Sequence, residues 1–468
     1  MITLLILLNA YFVSFTDKPE KVTPALSERA IEQRAKWNIP NDEMDYPVSK
    51  LYLDSLRKAG IKIYHTSRWF NGATVEMEEL QASKVAEWSF VQSVEMTRDE
   101  SQPRLWLPKR INRQKETGTQ VTSNTTDNQL TLYNLPPLHE AGFEGQGILM
   151  TICDGGFYNA DTVSCFRQEE LELGHFDFTD DADDFYGPTG THGTECLSTI
   201  SGILDGYYGA ATKAQYYLMR AEEDATESPK EMDNLVAAFE KADSLGTNVF
   251  SVSLGYAMFD NDSWTLSKSA LDGRSTRVSQ AATIAARKGM LVCVAAGNEG
   301  NDPWHTISTP ADADSILAVG AVAVNGVIGN FSSYGPSADG RIKPEVCAVG
   351  VKTALISPTG RLTSGNGTSF ATPLIAGLAA SLWSALPDEN AMQIRERIIR
   401  SSDRYQTPDA KRYGYGIPDA WMAYQSQTQD LENLASKESE QPQKIIDGGH
   451  IYILRHGHIY NLAGQRVR

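Results

Sequence analysis

Two short, almost unbroken apolar runs constrain this chain more than anything else in it: Ile148–Cys153 and Leu291–Ala296. A strand apolar on both faces is buried on both faces, the mark of a parallel sheet covered by helices. Each run stops at a glycine-flanked polar group, Asp154-Gly155-Gly156 after the first and Gly297-Asn298-Glu299-Gly300 after the second. In an open α/β sheet, functional groups gather just beyond the carboxyl ends of the strands. Asp154 and Asn298 stand at such ends. Each also has a plainer reading, as a turn aspartate and as a loop asparagine that tolerates the left-handed conformation.

Two helical patterns add chemistry to this frame. Thr191-His192-Gly193-Thr194 opens a stretch in which Cys196, Ile200 and Ile203 follow His192 at steps of four, four and three. That spacing puts His192 on the buried stripe of a helix. A histidine there is a satisfied core residue or, with an aspartate and a serine in reach, a general base. Further on, Gly367-Thr368-Ser369-Phe370-Ala371-Thr372-Pro373 leads into Leu374, Ile375, Leu378 and Leu382 at helical spacing. A serine where a glycine turn opens a helix meets unpaired backbone N–H groups and the positive end of the helix dipole. Those N–H groups can hold a developing oxyanion, and the Asn298 amide is a second donor for it.

The four segments together resemble the subtilisin family of serine proteases: Asp-Gly-Gly after a hydrophobic strand, His-Gly-Thr, Ala-Ala-Gly-Asn-Glu-Gly and Gly-Thr-Ser-Phe-Ala-Thr-Pro, in the family's order Asp, His, Ser. Asn248–Gly255 is similar to that family's substrate-binding strand, and Phe331–Pro336 to another of its signatures. The resemblance covers about residues 129–425. It implies a three-layer α/β fold with a mostly parallel central sheet. It implies that Ser369 is the nucleophile, His192 its base, Asp154 the group that orients the imidazole, and Asn298 an oxyanion donor. Ser253 and Gly255 would pair with the backbone of a polypeptide substrate as an added strand, and Ser253, Leu254 and Gly255 with Ala296 and Gly297 would wall the primary pocket, with Glu299 near its rim and its floor in the 301–310 loop. The sequence departs from the pattern at Gly155, where relatives carry Thr or Ser, and at Leu374, where His is frequent. Neither position carries chemistry. The stretch Glu195–Ala211 lacks the Asn-rich loop of the family's strong calcium site. The triad requires no cofactor, and no metal ligand set is assigned. Calcium stays open on one segment: Asp177, Asp180, Asp181, Asp183 and Asp184 are oxygen donors for a hard cation, or a solvated acidic loop.

The chain is longer than one such domain. Residues 1–16 are apolar and uncharged and read as a signal-peptide core, or as a buried N-terminal segment. Residues 17–100 give the pattern helix (28–37), helix (49–59), strand (61–66), strand (72–78), helix (79–88), strand (91–96). This small α+β unit resembles the inhibitory propeptide of subtilisins, which implies a chaperone and inhibitor of the catalytic domain. A permanent accessory domain is the alternative. Residues 101–128 are polar, contain Pro103, Pro108 and Gly118, and read as a linker with the processing site. Residues 426–468 read as a polar linker followed by two strands, 450–454 and 458–462. That tail resembles C-terminal segments of secreted proteins from the Bacteroidetes group, some of them sorting signals.

The formal charge of −17, from 42 basic and 59 acidic residues, argues against a nucleic-acid partner or a basic membrane-binding surface. No stretch is long enough for a stable membrane span. A bacterial secreted or cell-surface location follows from the leader-like segment. The five cysteines read as small buried hydrophobes, with one disulfide through Cys165 left open. The expected activity is that of a secreted serine endopeptidase. Its rival is a catalytically silent polypeptide-binding module, and the intact set Asp154, His192, Ser369 and Asn298 separates the two.

Overall fold

The computed structural model describes residues 7–100, 125–166, 171–179, 184–188, 190–223 and 226–426, and three strands between 443 and 461. The small domain is a four-stranded antiparallel sheet in the order β2-β3-β1-β4. Its strands are β1 (Asn9–Phe15), β2 (Lys62–Ser67), β3 (Gly72–Met77) and β4 (Val91–Arg98). Helices Lys50–Lys58 and Glu79–Val85 accompany the sheet, and helix Glu28–Lys36 packs instead on the end of the long helix Pro229–Leu245 of the large domain.

β1 corrects the reading of residues 1–16 as a leader core. Ala10, Tyr11, Phe12, Val13 and Phe15 are all buried, and β1 is an inner strand hydrogen-bonded to β3 and β4. Tyr11, Val13 and Phe15 face the small domain's own core, while Phe12 lies 4.1 Å from the Arg277 guanidinium of the large domain. A strand covered on both faces shows no alternation, so it has the same appearance in sequence as a leader's apolar core. The domain therefore begins no later than Asn9.

The large domain is a three-layer α/β/α unit. Its strands are β5 (Leu149–Asp154), β6 (Glu172–Asp177), β9 (Gln215–Arg220), β10 (Val249–Val252), β11 (Leu291–Ala295), β12 (Leu317–Val322) and β13 (Val346–Val349). They form one parallel seven-stranded sheet in the order β13-β12-β11-β10-β5-β9-β6. β7 (Ile203–Leu204) and β8 (Tyr207–Tyr208) form a hairpin after the helix His192–Ser201, and β14 (Thr353–Ile356) pairs with β15 (Leu362–Gly365). The sheet alternates between two cores. Met150, Ile152, Leu291 and Cys293 face the helices His192–Ser201 and Thr368–Ala385. Cys153, Phe250, Val292 and Val294 face the helices Pro229–Leu245 and Arg277–Arg287. The helix Thr368–Ala385 is buried from Thr368 through Trp383, so it is a core element, apolar all round. The long helix opens on Pro229 and stops at Gly246, whose φ of 75° only glycine adopts freely.

Other expectations shift by small amounts. The His192 helix ends at Ser201, so Ile203 lies in β7 and the buried stripe is one member shorter than its spacing suggested. All five cysteines are free and buried, which closes the disulfide option for Cys165. The expected C-terminal strand pair gains a third member: β16 (Gln443–Asp447), β17 (His450–Arg455) and β18 (His458–Asn461) form one antiparallel sheet. Helix Thr125–Thr131 spans the boundary expected between residues 128 and 129. Residues 101–124, where processing was expected, lie outside the described residues.

Candidate active site

The parallel sheet brings Asp154, His192 and Ser369 together from positions far apart in the chain. Asp154 is the last residue of β5 and is wholly buried. Its Oδ1 accepts from the Gly155 N–H at 2.8 Å and faces His192 Nδ1 at 2.7 Å. A carboxylate buried in this way is stabilised by a cation, and the imidazole beside it is the group placed to become one. His192 opens its helix beside the Asp154 turn because Gly193 comes against it. A Cβ at Gly193 would stand 2.4 Å from the Gly156 carbonyl oxygen, to which the Gly193 N–H donates at 2.9 Å. His192 Nε2 lies 2.9 Å from Ser369 Oγ. The Asp154 bond to Nδ1 fixes the tautomer with the proton on Nδ1, which leaves Nε2 free to accept the serine proton.

Ser369 is the second residue of its helix, so its backbone N–H has no partner within the helix. Asn298, one turn beyond β11, is anchored by its side-chain oxygen. Oδ1 accepts from the Thr368 N–H at 2.8 Å and from Thr368 Oγ1 at 3.1 Å. A backbone N–H can only donate, so the amide orientation is settled by chemistry and Nδ2 is the end left for a ligand.

Ser253, Leu254 and Gly255 follow β10, and Ala296 and Gly297 follow β11, the adjacent strand. The two segments thus leave the sheet side by side at its carboxyl edge. Gly297 has a φ of 113°, and a Cβ there would meet Glu299 Oε2 at 2.4 Å, Ser333 Oγ at 2.7 Å and Ser308 Oγ at 3.1 Å. A Cβ at Gly255 would meet Ser308 Oγ at 2.3 Å. Ser308, in the 301–310 loop expected as the pocket floor, and Ser333, from a loop further along the chain, are both buried beside these two glycines. Glu299 Oε2 accepts from Ser333 Oγ at 2.9 Å. Burial pushes the Glu299 carboxyl up to about 7, with Ser333 opposing the shift and Asp302 adding to it.

Cys196 lies one turn after His192, with its sulfur 3.8 Å from Nδ1 and 3.9 Å from Nε2. Among the described residues, Asp154, His192 and Cys196 have ligand atoms within 4.8 Å of one another. The donor set suits proton handling better than a metal. Burial raises the thiol well above its usual range, so it stays protonated, and His192 Nδ1 is committed to Asp154. Of the acidic run considered for calcium, Asp180, Asp181 and Asp183 lie outside the described residues. Asp177 Oδ1 accepts from Thr179 N and Oγ1, and Asp184 Oδ1 from Tyr186 N.

The model of the Subtilase family matches residues 145–416, which spans every side chain just described. The chain belongs to the subtilase family. Like its relatives it is a serine endopeptidase. A second model, the peptidase S8 propeptide domain of Bacteroidota, matches residues 10–117 and so identifies the small domain, β1 included. This subtilase is 30% identical to subtilisin DY of Bacillus licheniformis over 288 residues, covering 61% of this chain and 93% of that one. It is 29% identical to subtilisin E of Bacillus subtilis, over 62% of this chain and 69% of that one. Among solved structures, MycP1 from Mycobacterium smegmatis superposes with a TM-score of 0.53 at 22% identity, over 66% of this chain and 87% of that one, which is a likeness of fold.

Proposed function

We propose that the chain is the zymogen of a secreted endopeptidase in which Ser369 attacks the scissile carbonyl. His192 takes the serine proton and returns it to the leaving amine. Asp154 holds the imidazole and stabilises its charged form. The Ser369 N–H and Asn298 Nδ2 receive the oxyanion. The single observation that carries this reading is the relay Asp154 Oδ1, His192 Nδ1, His192 Nε2, Ser369 Oγ, with steps of 2.7 and 2.9 Å. The substrate strand runs between Ser253–Gly255 and the wall at Ala296 and Gly297, with main-chain hydrogen bonds giving affinity. No metal or organic cofactor is needed for these steps. Secretion fits the acidic charge of −17, and no helix among the described residues is long and apolar enough to cross a membrane. The test is peptide hydrolysis and fluorophosphonate labelling by the processed protein, with Ser369→Ala as control.

The small domain is read as the inhibitor of this site. Its β2–β3 turn caps one buried carboxylate of the catalytic unit: Glu240 accepts from Ser67 Oγ at 2.5 Å, the Arg68 N–H at 2.8 Å and the Trp69 N–H at 3.2 Å. Arg34 pairs with Asp243 at 2.7 Å, and Lys288 returns the favour to Asp45 at 2.8 Å. Arg98, at the end of β4, pairs with Glu223 at 3.0 Å. Removing one partner of such a buried, charge-assisted set leaves the others unpaired and costs more than the pair itself contributes. Glu240→Ala is therefore expected to weaken inhibition of the mature enzyme by added residues 1–100 by roughly 100-fold. An inhibition titration against the wild-type enzyme reads this directly, and an unchanged inhibition constant would remove Glu240 from the interface account.

A further inference from the structure

Pro373 sits inside the first turns of the Ser369 helix. Its nitrogen carries no hydrogen, so the bond it would donate four residues back, to the Ser369 carbonyl, does not exist. The carbonyl of the nucleophile itself is thus released from the helix ladder in a place where Ser369 is only 4% exposed. A buried carbonyl without a partner costs free energy and is free to drift. Two side chains meet it. Ser253 Oγ donates to the Ser369 carbonyl oxygen at 2.8 Å, and Cys196 Sγ donates to it at 3.3 Å. Ser253 belongs to the segment that follows β10, and Cys196 to the His192 helix one turn below the imidazole.

We propose that Ser253 is a positioning residue for the nucleophile, holding the Ser369 carbonyl that Pro373 frees, with Cys196 as a second, weaker donor to the same oxygen. One atom then ties together the three pieces of backbone that must keep register: the substrate-pairing segment, the general-base helix and the nucleophile helix. The hydroxyl is spent on Ser369 and the backbone of Ser253 remains for the substrate. Burial keeps the Cys196 thiol protonated and therefore a donor. A displacement of the nucleophile by a fraction of an ångström is enough to lose rate, because Oγ must stay within reach of both His192 Nε2 and the scissile carbonyl.

This inference rests on Ser369 being the nucleophile, and the experiment separates the two. Processed wild type, Ser253→Ala, Cys196→Ala, Ser253→Ala/Cys196→Ala and Ser253→Ala/Cys196→Ser are compared for acylation of Ser369 by a fluorophosphonate, for kcat and KM on one peptide substrate, and for Tm. Ser253→Ala is expected to lower kcat and the acylation rate by roughly 10- to 100-fold with KM nearly unchanged. Cys196→Ala should lose less, since a thiol is the poorer donor. The double alanine variant should lose more than the product of the two single losses, because it alone leaves the carbonyl without any donor. Ser253→Ala/Cys196→Ser should recover several-fold over Ser253→Ala, since a hydroxyl replaces the thiol beside the same carbonyl. That rescue is the readout a merely structural role would not move. A Ser253→Ala enzyme with wild-type kcat and acylation rate overturns the inference, as does a loss that appears in KM or Tm alone, or a serine at 196 that restores nothing. Wild type that is not acylated at Ser369 overturns the catalytic reading and this inference with it.

Discussion

Ser369→Ala is expected to lower kcat for peptide hydrolysis by about six orders of magnitude, the size of the effect in the related enzyme subtilisin. The argument is geometric. Ser369 Oγ lies 2.9 Å from His192 Nε2, and alanine removes the hydroxyl that this base deprotonates. His192→Ala should cost about as much, and the two losses should not add, since each removes the same step. The residual rate would come from the oxyanion donors and from substrate alignment alone. Ser369→Ala removes only an oxygen from a side chain at the buried start of a core helix, so the fold should stand. Steady-state kinetics on purified variants, with unfolding curves beside them, check both statements. Hydrolysis at the wild-type rate by either variant would sink the triad.

Asn298→Ala is expected to lower kcat by about 10²–10³ with KM nearly unchanged, the range found when one oxyanion donor is removed. Thr368 holds the Asn298 oxygen through two bonds and leaves Nδ2 for charge that develops only as the carbonyl is attacked. A donor used in the transition state and hardly at all in the ground state moves kcat and leaves binding alone. The alanine variant also strips the Thr368 N–H of its acceptor, so part of the loss should come from a looser start to the nucleophile helix. Asn298→Asp separates these contributions. It keeps the oxygen that Thr368 requires and replaces the donor with a second oxygen, so it should be as poor a catalyst as alanine. A change confined to KM would make Asn298 a ground-state contact.

Much of this was legible because the chemistry sits where secondary structure changes. β5 and β11 announced themselves as runs buried on two faces, and the polar residues at their ends could only be at the sheet's carboxyl edge. The nucleophile helix was visible as an apolar run behind a glycine turn, although its burial on all sides exceeds what one stripe implied. The rule that exposed β5 hid β1. An inner strand covered by its own core on one side and by the Arg277 helix on the other is as uniform as a leader segment. Ile203 failed for a local reason, since Gly202 ends the His192 helix one residue before it.

What the sequence could not reveal is who meets whom across the sheet. Ser253 read as a substrate-pairing residue and Cys196 as a small core hydrophobe, yet both side chains converge on the Ser369 carbonyl. Pro373 was the available signal, because a proline inside a helix always leaves one carbonyl to be accounted for. Ser308 lies in the 301–310 loop expected as the pocket floor, but Ser333 comes from a separate loop, and the two hydroxyls occupy the room that a Cβ at Gly255 or Gly297 would need.

The measurement that tests the account most directly is active-site titration of the processed enzyme with a fluorophosphonate, followed by mass analysis of the peptide that contains Ser369. The account predicts one adduct per chain, on Ser369, with peptidase activity falling in proportion to its formation and no adduct on Ser369→Ala or His192→Ala. Peptide hydrolysis that persists when Ser369 is fully modified, or an adduct that forms on another residue and abolishes activity, would contradict it.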